Sequence, residues 1–122
     1  MTEIRPVVAV HYTVGVVVVT IDREKILEEK DIQTLEQTIM PIVKENNPPK
    51  IVFDFSKVEY LSSSVLGLLI RLNTTIKDSD GNMCLSEVSS RVVGIFKITR
   101  LDKVFNMFDR TDEAVLYLKG TK

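Results

Sequence analysis

The chain has 122 residues, which suits one domain around one core. Hydrophobic residues make up 44% and charged residues 27%, an ordinary globular balance. The formal net charge of −1 supplies no excess of positive charge for holding nucleic acid or an anionic membrane. Cys84 is the single cysteine, so no intrachain disulfide can form; between Met83 and Leu85 it reads as a buried, inert thiol. The longest apolar run, Val14 to Val19 followed by Thr20 and Ile21, falls far short of the roughly 20 residues that span a bilayer. Glu3, Arg5 and Pro6 come without a basic region and cleavage site, so no signal peptide is evident and a soluble cytoplasmic protein is expected.

Val7 to Thr13 and Val16 to Ile21 are rich in β-branched residues, and Gly15 separates them closely enough for a hairpin. The second run is apolar at nearly every position, which predicts a strand buried on both faces. Asp22 to Lys30 is charged and reads as a loop. Asp31 then caps a helix with apolar positions at Ile32, Leu35, Ile39, Ile42 and Val43, and Pro41 predicts a kink or an early end. Asn46-Asn47-Pro48-Pro49 is a break. Ile51 to Phe53 is a third strand, ending at Asp54.

After a short loop, Ser62, Ser63 and Ser64 open a second helix with Val65, Leu68, Leu69, Leu72 and Ile76 on one side. Asp78-Ser79-Asp80-Gly81 turns the chain into a fourth strand, Asn82 to Ser86. Ser89 or Ser90 caps a third helix carrying Val92, Ile95 and Phe96. Lys103 to Phe108 reads as a short fifth strand. Thr111-Asp112-Glu113 opens a last helix through Ala114, Val115 and Leu118, where the acids complement its dipole.

The order β-β-α-β-α-β-α-β-α predicts one α/β domain over residues 1–122, with a mostly parallel sheet, right-handed crossovers and an N-terminal β-hairpin. Val16 to Ile21 and Ile51 to Phe53 should lie inside the sheet, with the helices mainly on one face.

Chemistry concentrates where the third strand gives way to the second helix. A helix start offers unsatisfied N–H groups and the positive end of a dipole. Hydroxyls there can cap the helix, and one of them can carry a phosphate. Asp54 sits on the side of an α/β sheet where ligands bind. An Asx-type structural role is preferred for it over a phospho-acceptor, because the first strands do not end in an acidic pair fit for magnesium. Asp22 is a solvated loop acid or a neighbour of the same edge. Leu66 and Ile70 fall off the apolar stripe of the second helix, as Val93 does on the third; they form a docking patch or are covered by neighbouring helices.

Enzyme motifs are scarce. His11 is the only histidine and reads as structural. No Gly-x-Ser-x-Gly elbow and no glycine-rich phosphate loop is present, and one cysteine with one histidine makes no zinc site. The reading is of a non-catalytic chain with no cofactor and no metal.

The run Asp54-Phe55-Ser56-Lys57-Val58-Glu59-Tyr60-Leu61-Ser62-Ser63-Ser64-Val65-Leu66-Gly67 resembles the signature of STAS domains, and more narrowly of the bacterial anti-sigma factor antagonists. Thr99-Arg100-Leu101-Asp102-Lys103-Val104-Phe105 is similar to the family's Thr-Gly-Leu-Asp-x-x-Phe turn, and Asp112-Glu113-Ala114 to its last helix. The resemblance implies a STAS-like fold and places the family's phosphorylatable serine on Ser63. Ser62 stands where the family has an acid, and Val65 where it has a glycine.

It further implies an anti-sigma factor antagonist. Unmodified, such a protein binds an anti-sigma factor serine kinase or a related STAS-interacting protein; phosphorylated, it does not. Asp22, Asp54, Ser62 and Ser64 would neighbour the switch, and Val65, Leu66 and Ile70 would meet the partner. No contact with nucleic acid or membrane is expected. The other expectation is a scaffold STAS protein that assembles with further subunits and lacks a working switch.

Overall fold

The computed structural model describes residues 7–121; Glu3, Arg5 and Pro6 lie outside them. Strands β1 (Val8–Thr13) and β2 (Val16–Ile21) form an antiparallel hairpin in which Thr13 pairs with Val16. The two turn residues, Val14 and Gly15, both have positive φ (47° and 81°), the backbone a tight two-residue hairpin demands. β-Branched Val14 meets that demand at some cost; Gly15 does not.

After β2 come a two-residue strand β3 (Lys25–Ile26), helix α1 (Glu29–Glu45), strand β4 (Lys50–Asp54), a second two-residue strand β5 (Tyr60–Leu61) and helix α2 (Ser63–Asp78). Strand β6 (Asn82–Ser86), helix α3 (Ser90–Ile98), a 3-10 turn at Leu101–Lys103, strand β7 (Asn106–Phe108) and helix α4 (Thr111–Lys119) complete the described chain. The main sheet runs β1-β2-β4-β6-β7, parallel from β2 onward, so β2 and β4 are interior as expected.

Side-chain alternation divides the core. Val17, Val19, Ile21, Ile51, Phe53, Met83 and Leu85 face α1, α2 and α3. Val16, Val18, Val52 and Cys84 face the opposite way, onto Ala114 and Leu118 of α4. Three helices thus cover one face and a single short helix covers the other. Val16 to Val19 must all be apolar to serve both layers, which is why that run shows no alternation; Thr20, near the strand's end, is the one polar position of β2. Burial pushes the Cys84 thiol up to about 12, so it is protonated and inert.

Four local expectations are corrected. The charged stretch after β2 contains β3, because Ile26 is drawn into the core and carries its backbone into pairing with β5. Helix α1 begins three residues before Ile32: the Glu28 carbonyl accepts the N–H groups of Asp31 and Ile32, so Asp31 lies inside the first turn, where an acid meets the dipole. Pro41 does not end α1. Both Pro41 and Gln37 are exposed, so the carbonyl that the proline cannot bond is left on the solvent side. Finally, the fifth strand of the main sheet is only Asn106–Phe108. Arg100, at φ 62°, turns the chain into the 3-10 segment, and Phe105 is buried edge-on against Phe96 at 6.1 Å.

Candidate functional site

Asp54 ends β4 beside Thr20 of β2 and Ser86 of β6, at the carboxyl ends of the parallel strands. Its carboxylate accepts from Thr20 Oγ1 at 3.2 Å and from the Ser56 backbone N–H at 2.8 Å. The second bond is an Asx turn, two residues on, that starts the loop towards the serines. Phe55 and Val58, both fully buried, anchor this loop from below, and the Val58 N–H closes on the Phe55 carbonyl. Asp22 forms an ion pair with Lys57 across the same end, at 3.2 Å. Sequence reasoning placed both acids beside the serines; the contacts the structure gives them are to Thr20, Ser56 and Lys57, which hold the loop between β4 and β5.

The β3–β5 pair then sets the start of α2. Ile26 pairs with Leu61, both side chains buried, and the Ser62 N–H donates to the Ile26 carbonyl at 3.0 Å. The Ser62 carbonyl accepts from the Val65 N–H as the helix begins. Ser62 is therefore the N-cap residue by backbone, yet its hydroxyl makes no cap bond; Oγ is buried without a partner among the described residues. Ser63 and Ser64 are exposed at the first two helical positions, and neither hydroxyl has a hydrogen bond among the described residues. The first turn of α2 contains no acid. Ser63 is thus a free hydroxyl on a fixed backbone, at the electropositive end of a 16-residue helix.

Removing the Ser62 hydroxyl should cost little. A working N-cap serine loses about 1 kcal/mol on change to alanine. A buried, unpartnered hydroxyl carries a desolvation cost that the same change relieves. Ser62→Ala should therefore leave the urea midpoint unchanged or raised, and a clear fall would mean that the hydroxyl caps the helix after all.

Asp54→Ala should cost about 1 kcal/mol, the order of the hydrogen bonds lost from a half-exposed carboxylate. Hydrogen exchange should quicken at Ser56 to Ser64 more than in β4. A collapse of the melting temperature would make Asp54 a structural anchor of the whole domain instead.

The proposed docking residues divide. Val65 and Leu66 are 1% and 6% exposed and belong to the core under the sheet, so they present nothing to a partner. The helix begins with its apolar face already turned inward, and Leu66 widens the buried stripe rather than leaving it. Val65, at the position of the family's glycine, therefore does not stand over Ser63. Ile70 is 43% exposed, seven residues and two turns along α2 from Ser63. Missed from sequence were Leu27 and Tyr60, both exposed beside the β3–β5 pair. Their signal was weak: each stands next to the residue its strand buries, Leu27 after Ile26 and Tyr60 before Leu61, within a short polar stretch.

The STAS domain family model matches residues 7–114. The chain belongs to the STAS domain family. A protein of Thermotoga neapolitana, whose name proposes an anti-sigma factor antagonist, is 28% identical over 71 residues. That match covers 58% of this chain, and the chain spans 63% of that relative's length. An anti-sigma-factor antagonist (STAS) domain protein from Planctomyces limnophilus shares 25% identity with a TM-score of 0.81, covering 91% of this STAS chain and 97% of its own. SpoIIAA of Bacillus, solved in its phosphorylated form, shares 16% identity with a TM-score of 0.70 over 90% of this chain and 97% of its own, a likeness of fold alone.

Proposed function

We propose that this STAS domain is a non-catalytic protein-binding regulator, an anti-sigma factor antagonist whose switch is Ser63. The observation that carries the reading is the state of that hydroxyl: exposed, unbonded among the described residues and held at the N-terminus of a long helix that accepts negative charge. A phosphate adds about −1.5 to −2 charges and three strong acceptor oxygens. At a helix start such charge leaves the fold in place, so its effect falls on whatever docks there. Leu27, Tyr60 and Ile70 supply exposed apolar surface on the elements around Ser63. The partner is an anti-sigma factor serine kinase, which binds the unmodified form and transfers phosphate to Ser63.

Incubation with that kinase and ATP, read by intact mass, tests the transfer. Wild type should gain one phosphate and Ser63→Ala none. Phosphate on Ser64, or on neither serine, contradicts the assignment. The second reading, a scaffold STAS protein without a switch, is favoured by Ser62 in place of the family's acid; a domain that binds its partner yet is never phosphorylated would support it.

A further inference from the structure

Helix α3 buries Val92 and Phe96 and turns Arg91, Lys97 and Ile98 outward. Arg91, Gly94 and Ile98 follow at spacings of three and four, so they share one edge of the helix. A Cβ at Gly94 would meet nothing within 4 Å, so the helix backbone there lies open to close approach. Ile98, at 86%, is the most exposed large apolar residue among those described.

The charge around this edge is one-sided. Positions 90 to 104 hold Arg91, Lys97, Arg100 and Lys103 against the single acid Asp102, in a chain whose net charge is −1. Among the described residues none of these four cations has a carboxylate within ion-pairing distance; the ion pairs lie elsewhere. Arg91 rests instead on the Tyr60 ring, 4.8 Å from its centroid, and Lys25 lies 5.5 Å from the same centroid. The cationic edge therefore runs up to β5, three residues short of Ser63.

We propose that the outer edge of α3 docks an acidic segment of a partner protein, with one apolar side chain of that segment laid over the bare backbone at Gly94 and meeting exposed Ile98. The cations supply steering and register; the missing side chain at Gly94 permits a closer approach than the rest of the helix edge allows. A lipid surface is a poorer occupant. Attraction of scattered cations to an anionic membrane is weak and screened by salt, and α3 keeps its apolar face in the core rather than offering it to a bilayer.

This proposal deepens the reading of the domain as a protein-binding regulator. Its test needs neither the kinase nor phosphate, so it can fail while the Ser63 switch stands, and the reverse. The probe is a synthetic amphipathic helix of Glu, Ala and Leu, about five turns long, titrated into isotopically labelled protein. Its control is the same peptide with Lys in place of Glu.

The acidic peptide should shift the amides of Arg91 to Val104 and the Lys peptide should not. Binding should weaken about tenfold or more in Lys97→Glu/Arg100→Glu, and again when salt is raised to about 0.3 M. Gly94→Gln should weaken it comparably with the fold unchanged, since glutamine favours a helix over glycine. No binding, shifts centred elsewhere, or undiminished affinity in these variants overturns the proposal. So does sedimentation of the protein with vesicles of equal parts phosphatidylcholine and phosphatidylglycerol when the peptide does not bind.

Discussion

Gly81→Ala should destabilise this domain on the order of 3 kcal/mol or more, or prevent folding. Gly81 links α2 to β6, and its N–H bonds the Ile76 carbonyl at 2.9 Å. A Cβ there would sit 2.1 Å from the Pro49 carbonyl oxygen and within 2.8 Å of that ring's Cγ and Cδ. The clash is with backbone, and that carbonyl cannot retreat freely. It accepts the Asn82 N–H at 2.9 Å, the bond that opens the pairing of Lys50 with Asn82 and so sets the β4–β6 register. One added methyl thus strains the junction of two interior strands.

Gly67→Ala is the matched control. Its Cβ meets only the flexible Arg71 Nη1, at 3.7 Å, so helix propensity should make it about 1 kcal/mol more stable. Urea unfolding of both variants decides the matter, and a Gly81→Ala midpoint close to wild type would contradict the packing described.

The main sheet was legible because its interior strands serve two layers. Val16 to Val19, Ile51 to Phe53 and Met83 to Leu85 are apolar at consecutive positions, a pattern that a half-exposed strand does not need. The two-residue strands were not legible. β3 and β5 exist only because Ile26 and Leu61 are buried side by side, and periodicity has no purchase on two residues. Pro41 misled for a related reason: local preference predicts a break, but the cost of the missing N–H depends on which side of the helix the proline faces, and that is set by packing.

Within the candidate site, the serines and both acids were visible as types at a strand–helix junction. What each hydroxyl does was not. Three consecutive serines look alike in sequence; the turn geometry buries one oxygen and exposes the next two. Leu66 shows the same limit from the other side. It falls off the strict stripe of α2, yet the helix is covered widely enough to bury it. The α3 edge went unnoticed because its cations are spread over a helix and a turn, and only the fold shows that no carboxylate meets them.

Ser63→Asp should separate recognition from stability. The first turn of α2 has no acid to repel the new one, and negative charge at a helix start is favourable by roughly 0.3–1 kcal/mol. The melting temperature should hold or rise. Docking, by contrast, must desolvate or oppose the new charge, and a weakening of about tenfold to a hundredfold is expected. Ser63→Ala removes a hydroxyl with no hydrogen bond among the described residues and should bind as wild type does.

The most direct measurement is the dissociation constant of the anti-sigma factor kinase, captured from the native cell on Ser63→Ala protein, for wild type, Ser63→Ala and Ser63→Asp side by side. The switch predicts equal affinity for the first two and a loss of about tenfold or more for the third, at unchanged melting temperature. Equal affinity for all three would contradict it.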